Sequence, residues 1–116
     1  MEIGIIGLGL IGGSLAKAIS QNTDNTVYGY DISDQVVKKA VLVNAIEQPL
    51  TDKLLPQCDI VIVALYPQAA VDYVKNHADL FKKGSIVTDC CGIKTLVCDE
   101  LIPLSEEKGF LFIGGH

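Results

Sequence analysis

Short apolar runs alternate along the chain with segments in which apolar positions recur every three to four residues. The runs predict six strands, the third of them weak, at residues 2–6, 26–30, 45–47, 59–65, 85–89 and 110–113. The periodic segments predict helices at residues 11–21, 33–43, 67–77 and 94–101. Ser33 is expected to cap the second helix, and Pro67 suits the first turn of the third. The alternation therefore predicts an α/β protein.

The spacing of these elements predicts a parallel sheet with helices on both faces. The run DIVIVAL at residues 59–65 is nearly unbroken, which is typical of a parallel strand covered on both sides. Six strands arranged as two βαβαβ halves make a doubly wound, Rossmann-type sheet with the strand order 3-2-1-4-5-6. A chain of 116 residues without repeats or linkers is expected to form one domain, residues 1–116.

Charge composition narrows the classes of partner. The chain has 9 basic residues against 14 acidic ones, for a net charge of −5, and all the basic residues are lysines. A sequence pI near 4.8 offers no cationic surface for nucleic acid, so we expect no nucleic-acid partner. The absence of arginine matters further, since arginine is the side chain that grips carboxylates and phosphates in bidentate fashion.

The cysteines and the N-terminal apolar run indicate an intracellular protein. The four cysteines, at positions 58, 90, 91 and 98, have neither a disulfide framework nor the spacing of a metal site. The N-terminal run follows an acidic residue, Glu2, and contains too many glycines for a signal peptide or a membrane helix. We expect reduced thiols, no metal, no membrane partner and a cytoplasmic location.

A glycine-rich turn follows the first predicted strand and opens the first helix. Residues 7–12 read Gly7-Leu8-Gly9-Leu10-Ile11-Gly12, the G-x-G-x-x-G pattern of a dinucleotide-binding turn. The first glycine permits the tight turn, the second lets a pyrophosphate approach the backbone, and the third lets the helix pack closely on the strand. The helix start adds unpaired N–H groups. We expect these six residues to bind the cofactor, although a purely structural tight turn is the alternative.

A carboxylate stands where a dinucleotide-binding domain holds the adenine ribose. Asp31 comes 19 residues after Gly12, at the end of the second predicted strand, and its carboxylate can accept hydrogen bonds from ribose hydroxyls. It would repel a 2′-phosphate, and the chain has no arginine to offset that repulsion. We therefore predict NAD rather than NADP as the cofactor, with an ordinary turn residue as the alternative for Asp31.

The longer motifs are more specific. The string GLGLIGGSLAKAI at residues 7–19 is followed in order by VYGYD, DIVIVALYP, IVTDCCGIK and FIGGH. Together they resemble the N-terminal NAD-binding domain of prephenate and arogenate dehydrogenases, over essentially the whole chain. The resemblance implies an NAD-dependent dehydrogenase of tyrosine biosynthesis, which decarboxylates prephenate (or arogenate) oxidatively to 4-hydroxyphenylpyruvate (or tyrosine).

The resemblance also implies site residues. His116 matches the family's catalytic histidine, and an imidazole suits proton transfer near neutral pH. Cys91 is expected beside the nicotinamide, and Lys94 matches the family's lysine at the next helix start. The competing readings are a chain-terminal histidine, a packing cysteine and a solvated lysine. Gly92 stands where the family commonly has a serine, which puts that serine's hydrogen bond in doubt.

Further cofactor contacts come from position in the predicted sheet. Leu65 ends the fourth predicted strand, and Tyr66 and Pro67 follow it, at the edge where the ligands of such sheets lie. We expect these residues to border the cofactor.

In the family, a helical domain after the GGH string carries the dimer interface and much of the substrate pocket. We expect that domain to be absent here, so that this chain is the cofactor half of a homodimeric enzyme and is inactive alone. Exposed apolar side chains are then expected on the last helices and strand. The alternatives are another hydroxyacid or imine dehydrogenase of the same superfamily, or a non-catalytic NAD-sensing module.

Overall fold

The computed structural model describes residues 1–90 and 94–114, and for residues 94–98 it describes the backbone only. Within these residues, six parallel strands form one sheet in the order β3-β2-β1-β4-β5-β6. The strands are β1 (Glu2–Ile6), β2 (Thr26–Tyr30), β3 (Gln48–Pro49), β4 (Ile60–Val63), β5 (Ile86–Asp89) and β6 (Leu111–Ile113). The helices are α1 (Leu10–Asn22), α2 (Asp34–Leu42), α3 (Pro67–His77) and α4 (Lys94–Lys108). The predicted Rossmann-type fold and its strand order are confirmed.

The two faces of the sheet are covered by different helices. Ile5 of β1 lies in the cluster that packs against α1 and α2, whereas its neighbour Ile6 lies in the cluster beneath α3 and α4. Both side chains are fully buried. Because successive strand residues point to opposite faces, a strand covered on both sides must be apolar throughout. This double burial accounts for the unbroken apolar runs of the sequence.

The third strand lies further along the chain than predicted. The sequence places it at residues 45–47, whereas β3 is Gln48–Pro49, which pairs with Tyr28 and Gly29 of β2. Ala45 and Ile46 are buried because they close the end of α2 and pack into the cluster beneath α1 and α2. Their apolar character reflects helix packing, whereas the two residues of the edge strand are exposed. The prediction of 45–47 is wrong for this reason.

Helix α4 is longer than predicted. Its expected end is residue 101, yet the helix runs through Pro103 to Lys108. Proline leaves the carbonyl four residues before it without an amide partner. That residue is Asp99, which is exposed, so water can reach its carbonyl.

None of the helices in the described part of the chain is long and apolar enough to cross a membrane.

Apolar side chains are exposed where the sequence predicts them, on the last helix and strand. Ile102 of α4 is 41% exposed, and Leu111 and Ile113 of β6 are 53% and 46% exposed. The intervening Phe112 is buried against α4's side of the sheet. Two of the three side chains of this edge strand thus lie exposed on the face of the sheet opposite to α3 and α4.

Candidate functional site

A cleft of about 550 Å³ lies at the carboxyl edge of the sheet, where β1 separates β2 from β4. In doubly wound sheets, the strand order reverses between β1 and β4, and the loops that follow these two strands diverge and leave a crevice. The lining residues come from the ends of four strands and the starts of two helices. They are Gly7, Gly9, Leu10, Ile11, Gly12, Asp31, Ala64, Leu65, Tyr66, Pro67, Ala69 and Cys90. Most of the residues predicted to bind the cofactor are thus brought together.

Two glycines of the turn are required by close backbone approach. Gly7 has a φ of +92°, a left-handed conformation, and a Cβ there would collide with the carbonyl oxygen of Ala64. A Cβ on Gly12 would overlap the carbonyl oxygen of Gly7. The turn folds back on its own helix, and β4 closes against it. The steric roles predicted for these two positions agree with the structure.

Gly9 differs from both, because its missing side chain leaves open space. A Cβ on Gly9 would meet no heavy atom within 4 Å. Gly9 is the N-cap of α1, makes no side-chain cap hydrogen bond, and is followed by no acidic residue in the first turn. The first hydrogen bond of the helix runs from the N–H of Gly13 to the carbonyl of Gly9 at 2.7 Å. The N–H groups that precede Gly13 therefore have no carbonyl partner within the helix. An uncapped helix start in a cleft fits a phosphate group.

The mouth of the cleft is apolar. Leu10 is 89% exposed, Ile11 is 64% exposed and Tyr66 is 88% exposed. Tyr66 is the N-cap of α3, which starts with Pro67 and also lacks a side-chain cap. Large apolar side chains this exposed, beside polar helix starts, suit a ligand that carries both planar rings and phosphates.

Asp31 supplies the charge of the site. Among the described residues that line the cleft, it alone is charged. Its Oδ2 accepts a hydrogen bond from the backbone N–H of Leu8 and its Oδ1 accepts one from that of Ser33, both at 2.9 Å. A carboxylate oxygen can accept a second bond, so each retains capacity for a ribose hydroxyl. The unbalanced negative charge disfavours a 2′-phosphate, as the sequence predicts.

Leu8 is placed differently from the other predicted contacts. Its side chain is only 6% exposed and packs in the cluster beneath α1 and α2, outside the cleft. Its backbone N–H is already used by Asp31. The expectation that Leu8 touches the cofactor is therefore corrected: it anchors the turn from below.

Several predictions lie outside what the structure describes. Cys91, Gly92 and His116 are not among the described residues, and Lys94 is described only as the first backbone position of α4. Their roles remain predictions.

Three lining residues were missed by the sequence analysis, namely Ala64, Ala69 and Cys90. Ala64 and Cys90 follow β4 and β5 directly, so their position at strand ends was the signal that could have found them. Burial, followed by the neighbouring Asp89 charge, raises the pKa of the Cys90 thiol, which favours its protonated form.

Comparison with protein families decides the relationship. Residues 15–116 match the family described as the prephenate dehydrogenase, nucleotide-binding domain. The chain belongs to this family. The match begins after the glycine turn, so the agreement of that turn with a nucleotide site is an independent observation. The resemblance inferred from the sequence motifs is confirmed.

Solved structures agree. Arogenate dehydrogenase from Synechocystis is 27% identical with a TM-score of 0.90, covering all of this chain and 40% of that one. Prephenate dehydrogenase from A. aeolicus, in complex with hydroxyphenyl propionate and NAD+, is 27% identical with a TM-score of 0.84, covering all of this chain and 41% of that one. The chain thus spans about two fifths of these relatives. The family and the NAD+ in that complex confirm the predicted cofactor class.

More distant enzymes share the fold. A 3-hydroxyisobutyrate dehydrogenase from Mycobacterium tuberculosis is 17% identical with a TM-score of 0.86, covering 97% of this chain and 39% of that one. Identity this low shows a common architecture. The family match therefore identifies a nucleotide-binding domain.

Proposed function

We propose that this chain is the NAD-binding half of a prephenate or arogenate dehydrogenase. The observation that carries the proposal is the uncapped start of α1, which opens into the cleft beside Asp31 in a chain of this family. The proposed reaction is the oxidative decarboxylation of prephenate (or arogenate) in tyrosine biosynthesis. The residues of the cleft fit the cofactor that this reaction needs.

Each part of the cleft has a proposed task in holding NAD. The N–H groups at the start of α1 bind the pyrophosphate, with Gly9 leaving room for it. Asp31 accepts hydrogen bonds from the adenine-ribose hydroxyls. Leu10 and Tyr66 lend apolar surface at the mouth of the cleft and exclude water from it. These contacts orient the cofactor, which supplies a hydride acceptor when it is bound.

The proton chemistry is assigned to His116, with Cys91 and Lys94 beside the nicotinamide. In the proposed reaction the substrate carbon bearing the ring hydroxyl would give up a hydride while His116 takes the hydroxyl proton. The bond from the ring to the carboxylate would then break, carbon dioxide would leave, and its electron pair would enter the ring to give a phenolate that takes the proton back. The ring becomes aromatic, which supplies the driving force. Gly92 offers no hydroxyl, so the hydrogen bond that the family's serine makes must come from another group or be missing.

The substrate has to be recognised largely by groups that this chain does not supply. Prephenate carries two carboxylates, and the chain has no arginine to pair with them. Since the chain spans about two fifths of its relatives, the remaining polypeptide of a full-length enzyme is the proposed source of those contacts and of a homodimer interface. The 116-residue chain alone is then expected to bind NAD without turning over prephenate.

Calorimetric titration of the 116-residue chain tests the proposal. NAD+ and NADH should bind at one site, and NADP+ should bind at least about tenfold more weakly because its 2′-phosphate faces Asp31. A folded protein that gives no heat with either form of NAD would overturn the proposal. Equal affinity for NAD+ and NADP+ would contradict the assigned role of Asp31.

The substrate is tested on the full-length protein. Prephenate, arogenate and 3-hydroxyisobutyrate should be assayed with NAD+ at equal concentrations, with NADH formation followed by absorbance. Turnover of prephenate or arogenate is the expected result. Turnover of 3-hydroxyisobutyrate alone would assign the chain to the hydroxyacid dehydrogenases, and binding of NAD without any turnover would favour a sensing role.

A further inference from the structure

Two helix starts meet at the carboxylate of Asp31. Its Oδ2 accepts the N–H of Leu8, which lies in the turn leading into α1. Its Oδ1 accepts the N–H of Ser33, the N-cap of α2. The negative charge is favourable at both places, because each helix start carries a partial positive charge. Asp31 therefore joins the turn before α1 to the start of α2.

The glycine turn is held to the tip of β2 at three points. The N–H of Gly7 donates to the carbonyl of Tyr30 at 2.7 Å. The side chain of Leu8 is buried under Gly29, where a Cβ would lie 2.9 Å from the Leu8 Cδ1 atom. The third point is the bond from the Leu8 N–H to Asp31. Of the three, this bond alone depends on a polar side chain.

The other half of the carboxylate is held in place as well. Ser33 Oγ accepts the N–H of Val36 at 3.4 Å and so caps α2, while the Ser33 N–H fixes Asp31 Oδ1. The carboxylate therefore has a defined orientation before any ligand arrives. A side chain fixed in this way can hold a neighbouring turn at little entropic cost, because its rotamer is already selected.

We propose that Asp31 is also a positioning residue for the phosphate-binding turn: it holds residues 7–9 in the conformation that receives the pyrophosphate. The inference rests on the proposed function in that the ligand is a dinucleotide. It goes further, because it assigns to Asp31 an effect on a part of the ligand that the carboxylate does not touch. Preorganisation of the turn then contributes to phosphate affinity.

The proposal predicts an effect opposite in sign to simple electrostatics. A carboxylate near the pyrophosphate repels it, so removal of the charge by itself should strengthen phosphate binding. If the carboxylate orders the turn, its removal should weaken phosphate binding, because the Leu8 N–H loses its acceptor and the turn gains freedom. The direction of the change therefore separates the two effects.

The test compares adenosine with ADP on the wild-type chain and on Asp31→Ala, by NMR titration. Both ligands carry the ribose, whereas only ADP carries the diphosphate. The affinity for ADP divided by the affinity for adenosine is therefore the ratio that isolates the phosphate contribution. We expect this ratio to fall about fivefold or more in the variant, as for loss of one hydrogen bond. An unchanged or increased ratio would overturn the proposal, since Asp31 would then act on the ribose or through its charge alone.

Asp34→Asn is the matched control. Asp34 is exposed in the first turn of α2 and carries the same charge as Asp31. Within the described part of the chain, its side chain makes no hydrogen bond to the glycine turn at residues 7–12. Its replacement should leave the ratio unchanged or raise it slightly. A fall as large as that of Asp31→Ala would show a general charge effect and contradict the proposal.

Amide hydrogen exchange of the ligand-free wild-type chain provides a second measurement, which needs neither a ligand nor a folded variant. The Leu8 amide should exchange at least about tenfold more slowly than an unbonded amide, because it is held by Asp31. Rapid exchange at Leu8 would overturn the proposal even if NAD binds. If wild type binds neither ADP nor NAD, the proposed function fails and the role in phosphate binding fails with it, and a protected Leu8 amide then shows only that Asp31 holds the turn.

Discussion

The two edges of the sheet treat their polar groups in opposite ways. At the amino edge, Asp59 accepts the N–H of Glu2 at 2.9 Å and the Lys82 ammonium at 2.7 Å. The hydroxyl of Tyr28 donates to Glu2 at 2.6 Å, and this bond, followed by burial, raises the pKa of Tyr28 to about 12. At the carboxyl edge, α1 and α3 begin without side-chain caps, beside exposed apolar side chains.

This difference separates stability from binding. A side-chain cap stabilises a helix by about 1 kcal/mol, and α2 shows that the chain provides one at the carboxyl edge, from Ser33. The start of α1, at Gly9, has no side-chain cap and faces the cleft. At the amino edge these charged and hydroxyl groups are paired within the chain, whereas at the carboxyl edge the first N–H groups of α1 have no side-chain cap. Substitutions at each edge should therefore affect different measurements.

The largest effect is expected from Gly12→Ala. The added Cβ would overlap the Gly7 carbonyl, so the turn and α1 would have to move apart. We expect a loss of about 3 kcal/mol or more in the free energy of unfolding, at the upper end for overpacked sites. Urea denaturation followed by circular dichroism measures it.

Gly9→Ala is the control for this substitution. It makes the same change three residues earlier, where φ is −68° and the Cβ enters open space. The free energy of unfolding should fall by no more than about 1 kcal/mol, the cost of alanine at an N-cap. Equal destabilisation by the two variants would show that the turn is sterically uniform, and the difference between a structural and a ligand-facing glycine would be lost.

The sequence sufficed for the fold and for most of the cleft, because both rest on local rules. Apolar runs covered on two faces mark strands such as β4, and glycine spacing after a strand marks the turn at residues 7–12. Asp31 was found from its distance to Gly12. These signals depend on backbone geometry that any doubly wound sheet shares.

The failures come from contacts between distant segments. Ala45 and Ile46 are apolar because they pack beneath α1 and α2. Their apolar character was interpreted as that of a strand, so the predicted position of β3 was wrong. The Leu8 side chain packs into the core because Gly29, on a different strand, leaves room for it, and no local sequence pattern predicts this contact. The two backbone bonds of Asp31 join residues 23 and 2 positions apart, and a sequence pattern assigns the residue without showing them.

The second effect concerns binding with little change in stability. Gly9→Asp would place a carboxylate at the N-cap of α1, where it can take the N–H groups reserved for phosphate and repel the ligand. We expect the affinity for NAD+ to fall about 100-fold, while the free energy of unfolding stays within about 0.5 kcal/mol of wild type. Calorimetric titration and urea denaturation measure the two quantities. A variant that is clearly destabilised yet binds NAD+ normally would reverse the assignment of this helix start.

The smallest effect is expected at the amino edge, from Lys82→Met. The hydrogen bond from Lys82, followed by that from the Glu2 N–H, lowers the pKa of Asp59, and Asp59 in turn raises the pKa of Lys82. The pKa of Asp59 is lower in the folded protein than in the unfolded chain, where it is about 3.9, so its carboxylate stabilises the fold at a pH above about 3.9. This contribution is lost as the pH falls through the pKa of the folded state. The raised lysine pKa adds stability below about 10.4, which is lost as the pH rises through the folded pKa.

The pair should therefore stabilise the protein between these limits, so Lys82→Met should be less stable than wild type at neutral pH, and the difference between the two proteins should shrink as the pH falls through the folded pKa of Asp59. Urea midpoints measured from acid to neutral pH test this, with Lys83→Met as the control. Lys83 is the adjacent exposed lysine, and it forms no ion pair among the described residues. If both variants follow the wild-type pH profile in acid, the pair at Asp59 contributes nothing, and the amino edge would owe its stability to its backbone bonds and buried side chains alone.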